Sequence, residues 1–293
     1  MRSRNNIHVF RQFIKRIVTF TERHSTIFRS CFFALPLTLN SVFASFDALP
    51  FSARHAALAG AGVAWCSGAD GIYVNAACLH GASPFDLHFF YAKPYGLHDL
   101  NMANVAARYS RARCSCGIGI QYFGNDLYRE NQFLAAVAIP ISPALLLALS
   151  GRLGILNVQH HGQAHSVLAD FGVIVRLTAN AAFGFSAKNV ANAKVGAAHE
   201  PLPSSLIVGV HMTPFSHCVV DFDLCKEIRF PLDVRCGISW QAFSALTLRM
   251  GVGGEPSRVC AGFTLCHFRV RLDYAFSTHS ELGLTHLFSV GVY

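Results

Sequence analysis

The stretch Leu232-Asp-Val-Arg-Cys-Gly-Ile-Ser-Trp-Gln241 alternates between apolar side chains and polar or small ones. In an extended chain, one face receives Leu232, Val234, Cys236, Ile238 and Trp240, and the other receives Asp233, Arg235, Gly237, Ser239 and Gln241. A period of two residues is typical of a β-strand with one apolar face. Because charged residues stand in the middle of the polar face, the stretch predicts a strand that separates water from an apolar environment.

The same alternation recurs along the chain in windows of mostly about ten residues, the length with which a tilted strand crosses a bilayer. The sequence contains about fourteen of these windows, near 86–93, 101–110, 114–124, 129–140, 144–154, 165–176, 179–188, 204–213, 216–226, 231–241, 244–253, 257–265, 267–276 and 284–292. An even number of such strands, with tight and longer connections in turn, is typical of a transmembrane antiparallel β-barrel. A soluble β-sandwich also alternates and is the alternative.

The composition agrees with a membrane location. Hydrophobic residues make up 52% of the chain and charged residues only 14%, whereas about a quarter of the residues in a soluble domain are charged. The one long uncharged window after the leader, residues 133–151, contains Pro140 and Pro143, which break a helix. We therefore assign the apolar residues to outward strand faces and the polar ones to the lumen. The predicted luminal residues are Asp86, His88, Arg108, Gln121, Glu130, Asp170, Arg176, Lys188, Asp221, Asp223, Asp233, Arg235, Arg249, Arg258, Arg269, Arg271 and Asp273.

The positive charge lies in the leader. Residues 1–44 carry a net charge of +6, out of +8 for the whole chain, which argues against nucleic acid as a partner of the remaining chain. A basic start, an apolar core at residues 31–39 and a small residue at Ala44 predict a signal peptide that is cleaved near Ser45. An amphipathic N-terminal helix is the alternative. An export signal before barrel strands predicts the outer membrane.

Glycine and other small residues are dense between Gly60 and Leu79, after the leader. The spacing does not fit a nucleotide-binding loop, because Trp65 occupies the third glycine position and no Gly-Lys-Ser or Gly-Lys-Thr follows. The chain also lacks the Gly-x-Ser-x-Gly elbow of serine hydrolases. We predict neither an enzyme nor a cofactor.

Cysteine usage indicates no metal site. Removal of Cys31 with the leader leaves nine of the ten cysteines, and an odd number argues against a full disulfide framework. Cys114 and Cys116 share a strand face with Ile118, where they act as small apolar residues, and their spacing is not that of a zinc site. Cys66 and Cys78 are candidates for a disulfide in an oxidising compartment.

The glycine-rich stretch resembles a known family. Gly60-Ala-Gly-Val-Ala, Ala69-Asp70 and Tyr73-Val-Asn75-Ala-Ala77-Cys-Leu79 are similar to the segment near the mature N-terminus of the long-chain fatty acid transporter (FadL-like) superfamily and its PorV-type relatives. Two positions depart from the family motif, since Ala76 replaces a proline and Cys78 replaces a glycine. Further landmarks are Tyr128-Arg-Glu130, Asp170-x-Gly172, Lys188-Asn189 and the C-terminal run from Tyr274 to Tyr293.

The resemblance implies a fourteen-stranded barrel with an N-terminal hatch inside the lumen. The expected organisation is a signal peptide at 1–44, a hatch at 45–82 and the barrel at 83–293. The hatch residues implied are Gly60, Gly62, Asp70, Tyr73, Asn75, Ala76, Ala77 and Leu79. The expected partners are outer membrane lipid, the barrel assembly machinery and a hydrophobic ligand such as a long-chain fatty acid. PorV-type members imply an alternative, an adaptor for protein secretion or surface attachment that binds an exported protein.

Arginines gather on neighbouring predicted strands toward the C-terminus. They are Arg235, Arg249, Arg258, Arg269 and Arg271. Guanidinium groups suit a carboxylate or phosphate, so a luminal anion site is one interpretation, and a ladder of ion pairs between strands is the other. The longest predicted connection, roughly 190–203, is modest for an adaptor, and we therefore favour transport.

Overall fold

The computed structural model describes residues 46, 50–65, 68–196 and 199–293. The predicted signal peptide and its cleavage site lie outside these residues. The described helices are short, with α1 at Ala53–Ala56, α2 at Gly71–Val74 and two 3-10 turns at Ala76–Leu79 and Pro94–Gly96. None of the helices in the described ranges has the length and hydrophobicity needed to span a membrane.

Strands dominate the described chain. They are β1 Phe85–Lys93, β2 Asn101–Arg111, β3 Cys114–Gly124, β4 Tyr128–Ser142, β5 Leu145–Val158, β6 Gly162–Thr178, β7 Ala181–Lys188, β8 Lys194–Val195, β9 Glu200–Pro201, β10 Ser205–Phe215, β11 Cys218–Glu227, β12 Leu232–Phe243, β13 Leu246–Gly253, β14 Arg258–His267, β15 Val270–His279 and β16 Gly283–Val292. The two-residue strands β8 and β9 form a separate small sheet.

The other fourteen strands form one closed antiparallel barrel. Each strand of the barrel pairs with the strands before and after it in the sequence, and β7 pairs with β10 because β8 and β9 lie outside the barrel. The ring closes where β1 pairs with β16, with Phe89 opposite Val290. The prediction of an all-β, fourteen-stranded barrel is confirmed. The β-sandwich alternative is wrong, because a sandwich has open sheet edges and this sheet has none.

Alternation along each strand sorts side chains between the outside and the lumen. In β12, Trp240 is 54% exposed on the outer face, whereas Asp233 on the inner face is 6% exposed. Cys114 and Cys116 lie on the outer face beside Ile118, as predicted. The wall therefore presents an apolar surface outward and a polar one inward, the arrangement that lipid requires.

The two ends of the barrel differ. Two-residue turns join strands at one end, which we call the turn end, and Tyr293 also lies there after β16. Connections of three or more residues join strands at the other end, the loop end, and the longest of them, residues 189–204, contains β8 and β9.

One luminal assignment is wrong. Arg269 lies in the turn between β14 and β15 and is exposed. Arg269 alternates in sequence with Arg271 and Asp273, but β15 starts only at Val270. The sequence pattern therefore extends one residue before the strand, into a turn of two residues.

Candidate functional site

Residues 50–65 and 68–81 run through the barrel interior, and we call them the luminal segment. At the loop end, Phe46 precedes the segment and is buried among Leu168, Val195 and Leu202. The Phe46 backbone N–H donates to Glu130 Oε1 at 2.9 Å. At the turn end, Gly81 exchanges hydrogen bonds with the Ser110 hydroxyl just before β1 begins. The chain therefore crosses the interior from one end to the other.

Inward-facing glycines on the wall let the luminal segment approach closely. A Cβ at Gly184 would lie 2.5 Å from the Val63 carbonyl oxygen, and one at Gly237 would lie 2.8 Å from Leu58 Cβ. Further inward glycines that contact the segment are Gly117, Gly119, Gly172, Gly209, Gly251 and Gly262. Gly184 and Gly251 meet backbone atoms of the segment, whereas Gly117, Gly119 and Gly237 meet its side chains, and a Cβ at any of these positions would collide. These contacts hold the middle of the segment close against the wall.

Buried carboxylates on the wall hold the backbone amides of the segment. Asp223 Oδ2 accepts from the N–H groups of Gly62 and Val63 at 2.8 and 2.9 Å. Asp86 Oδ1 accepts from the Ala69 N–H at 2.7 Å. These carboxyl oxygens satisfy backbone donors that are buried away from water, so the two aspartates fix the segment to β1 and β11.

Two of the predicted cluster arginines also hold the segment. Arg258 Nη2 donates to the Ala59 carbonyl at 2.8 Å, and Arg235 Nη1 donates to the Gly60 carbonyl at 3.2 Å. Both arginines pair with Asp233, at 2.8 and 2.7 Å. Gly60 and Gly62 have φ of 83° and 125°, a region that glycine enters without strain. The tight turn there is therefore clamped from the wall.

The predicted anion cluster does not form as one group. Arg235 and Arg258 share Asp233, Arg271 pairs with Asp273 at 3.1 Å, and Arg269 is outside. Only Arg249 faces the lumen with no ion pair in the described part of the chain, and it donates to the Thr264 hydroxyl. Three of the five arginines are therefore in ion pairs, but the pairs do not form the predicted ladder between neighbouring strands. Arg235 and Arg271 pair within their own strands, and Arg258 on β14 reaches across β13 to Asp233 on β12.

Asn75 ties the segment together and to the wall. Its Nδ2 donates to the carbonyls of Val63, Val173 and Phe185 at 2.9, 3.1 and 3.3 Å. Its Oδ1 accepts from the Ala77 N–H at 3.1 Å. Asn75 is fully buried, so its amide satisfies backbone groups that have no access to water.

The other predicted hatch residues also lie at the interface between segment and wall. The Tyr73 hydroxyl lies 2.9 Å from the Val105 carbonyl and 3.0 Å from the Ile120 carbonyl, on β2 and β3. Ala76, Ala77 and Leu79 are buried in the apolar core that the segment shares with the wall. The structure therefore brings all eight predicted hatch residues into one segment inside the barrel.

Asp70 and Arg54 form an ion pair at 2.5 Å within the segment. Burial alone would raise the pKa of Asp70, but the charges of Arg54, His88 and Arg271 outweigh it and hold that pKa well below its ordinary value. Burial, together with the nearby Arg235, lowers the pKa of His55 to about 3. Asp70 is therefore charged and His55 neutral at physiological pH.

Cys78 takes part in a disulfide. Its predicted partner, Cys66, lies outside the described residues, so the pairing stays a prediction. In the described part of the chain, no cluster of histidine, cysteine and carboxylate side chains fits a metal ion.

A cavity of about 900 Å³ lies between the luminal segment and the turn end. Its apolar lining includes Leu58, Val74, Leu146, Ile174 and Val219, and turn residues such as Ala179 and His217 mark its outer limit. Ligand pockets commonly measure about 300–1,000 Å³. The cavity is thus large enough for a small amphipathic molecule.

Trp65 stands in this cavity in a stack that the sequence did not predict. Its ring lies 5.1 Å from the His211 ring with an interplanar angle of 16°, and Arg176 Cζ is 5.9 Å from its centroid. His211 Nδ1 lies 2.8 Å from Asp221 Oδ1. Trp65 follows the Gly60 turn directly, but its wall partners come from β6, β10 and β11 and have no sequence signal.

The cavity carries an excess of positive charge. Arg54, Arg108, Arg176 and Arg249 line it, against the carboxylates of Asp70 and Asp221. Arg54 is paired, while Arg108 and Arg176 donate to backbone carbonyls and, like Arg249, have no ion pair among the described residues. The lining arginines without an ion pair among the described residues are therefore Arg108, Arg176 and Arg249, and only Arg249 belongs to the predicted set of five.

No family model and no curated protein matches this sequence. Solved structures share its fold at low sequence identity. The toluene transporter TodX of Pseudomonas putida is 13% identical with a TM-score of 0.61, over 82% of this chain and 96% of that chain. A deletion mutant of the TodX monoaromatic hydrocarbon channel is 13% identical with a TM-score of 0.61, over 84% of this chain and 98% of that chain. A Pseudomonas aeruginosa FadL homologue is 9% identical with a TM-score of 0.52, over 83% of this chain and 98% of that chain. At these identities, the likeness extends to the fold.

Proposed function

We propose that the protein is an outer membrane channel for hydrophobic small molecules and that the luminal segment is its hatch. The observation that carries this proposal is the arrangement along the barrel axis. A segment packed against wall glycines occludes the lumen, and a cavity of about 900 Å³ lies between it and the turn end. A molecule in that cavity would contact apolar side chains without leaving the barrel.

The outer membrane location is supported by the apolar outer face and by the short turns at one end, which are typical of the periplasmic side. The named structures with this fold are a toluene transporter, a monoaromatic hydrocarbon channel and a FadL homologue. Their ligands support a hydrophobic substrate by analogy, since fold alone does not fix function. We regard the barrel assembly machinery and membrane lipid as partners on the same grounds.

The cavity charges favour a ligand with an anionic group, such as a long-chain fatty acid. Arg176 and Arg249 face the cavity without a carboxylate partner in the described chain, and a guanidinium in an apolar setting binds a carboxylate well. Leu146 and Ile174 provide adjacent apolar walls. The cavity would hold the carboxylate and the first part of the chain.

The adaptor alternative has less support. An adaptor for exported proteins needs large loops, whereas the longest described connection is residues 189–204, and β8 and β9 fold it back on itself. A stoichiometric exported protein in pull-downs of the tagged barrel from membranes would favour the adaptor function instead.

Transport is tested in proteoliposomes with the protein lacking its leader. We expect faster uptake of oleate than in protein-free vesicles, and a general leak of small sugars when residues 60–79 are deleted. The variant R176Q/R249Q should slow uptake of oleate while leaving that of oleyl alcohol unchanged. R269Q, which changes an exposed turn arginine, is the matched control. Equal oleate flux with and without the protein would refute the proposal.

A further inference from the structure

A second concavity lies on the outer surface, where β2 turns into β3. It measures about 500 Å³, and its lining is Tyr109, Arg111, Ala112, Arg113, Cys114 and Cys116. We call it the turn-end cleft. It is separate from the luminal cavity, because these side chains face away from the barrel interior.

Small side chains between larger ones create the cleft. The register places Cys116 opposite Tyr109 on one side and opposite Val137 on the other. Phe85 on β1 lies opposite Tyr109 on β2. The larger side chains around the two thiols, Phe85, Tyr109 and Val137, are exposed and apolar. A groove with a floor of cysteine and apolar walls offers dispersion contacts to a hydrocarbon chain.

The rim of the cleft is positively charged. Arg111 and Arg113 are both exposed and have no ion pair in the described chain. None of the six two-residue turns at the turn end contains an aspartate or glutamate. The described acidic residues at or next to connections all belong to the loop end, namely Asp99, Asp126, Glu200, Glu227, Glu255 and Glu281. Nothing described on this rim neutralises the two guanidinium groups.

We propose that the turn-end cleft binds an anionic phospholipid of the leaflet at the turn end. The phosphate lies between Arg111 and Arg113, where guanidinium groups donate paired hydrogen bonds to phosphate oxygens. One acyl chain follows the groove over Cys114 and Cys116. The site requires that the barrel is embedded in a bilayer, but it does not depend on what the lumen transports.

The site is tested by native mass spectrometry of the full-length barrel, released from nanodiscs that contain equal amounts of phosphatidylglycerol and phosphatidylcholine with identical acyl chains. We expect the wild type to retain phosphatidylglycerol preferentially. In R111Q/R113Q, the ratio of retained phosphatidylglycerol to phosphatidylcholine should fall about tenfold. C116L fills the groove without changing charge and should also weaken retention. R269Q alters another exposed turn arginine that does not line the cleft and should retain the wild-type preference.

Three results would overturn the proposal. They are equal retention of the two lipids by the wild type, an equal loss in R269Q, and complete displacement of the lipid by millimolar inorganic phosphate. The last result would identify a site for free phosphate. Uptake of oleate by R111Q/R113Q should match the wild type, so a failed lipid site and a failed transport proposal are distinguishable.

Discussion

Replacing Asn75 by aspartate tests whether the luminal segment is a seated hatch. The two side chains have nearly the same shape, so the change adds no bulk and leaves no cavity. It removes the Nδ2 donor that serves the carbonyls of Val63, Val173 and Phe185 and puts a carboxylate oxygen in its place. Because Asn75 is fully buried, no water can compensate for the lost donor.

The expected cost follows from these contacts. A lost intramolecular hydrogen bond costs about 1 kcal/mol, and a buried group left unsatisfied costs about 1–3 kcal/mol more. A total of about 3 kcal/mol lowers the ratio of seated to unseated segment roughly 100-fold. The barrel strands keep all their ladder hydrogen bonds, so the wall should stay folded while the segment leaves its position.

The assay is the ion conductance of the reconstituted barrel. N75D should conduct far more than the wild type at pH 7 while resisting SDS at room temperature to the same extent. Acid should partly reverse the leak, since a protonated carboxylic acid regains one O–H donor toward the carbonyls. N180D makes the same change in an exposed turn and should conduct like the wild type. Wild-type conductance in N75D, with the barrel folded, would refute the assignment of a hatch.

Three further predictions concern the same segment. G184L should raise conductance, because a side chain there meets the backbone of residues 63–64, whereas G151A should not, because a Cβ at Gly151 meets nothing within 4 Å. A76P should be tolerated, since the preceding residue, Asn75, is already extended. It should raise the unfolding temperature slightly, because proline lowers the entropy of the unfolded chain and so stabilises the fold by about 0.4–1 kcal/mol. The wild type should lose thermal stability as pH falls from about 6.5 toward 3, since the unfolded chain protonates His55 in that range and the folded one does not. H55Q should flatten this slope in calorimetry, and an unchanged slope would contradict the assignment.

The barrel was predictable from the sequence because its rule is local. The alternation assigns each side chain to lipid or lumen without knowledge of any neighbour, and β12 follows it from Leu232 to Trp240, before a register irregularity between Gln241 and Phe243. Arg269 shows the limit of this rule, because alternation does not mark where a turn of two residues interrupts it. The position of the segment inside the barrel was implied by family resemblance rather than by a physical pattern.

The polar contacts of the site were not predictable, because they depend on register and on where the segment passes. Arg258 on β14 pairs with Asp233 on β12, across the intervening β13, a pairing that sequence spacing does not single out. Trp65 meets His211 and Arg176 from strands more than a hundred residues further along the chain. A single sequence contains no signal for such a meeting.

The way in which the segment is held limits how it can open. Both ends are fixed independently of the middle, by Phe46 on Glu130 at the loop end and by Gly81 on Ser110 at the turn end. The wall contacts of the middle are mostly bonds to its backbone and close approach to glycine. If the segment is the proposed hatch, we expect opening to be a local unseating of its described middle, residues 58–65 and 68–79, at the cost of a few polar anchors rather than of the whole barrel's stability. The residues that decide whether the segment stays seated are therefore the wall residues that bind its backbone, such as Asp223 and Arg258, together with Asn75 of the segment itself.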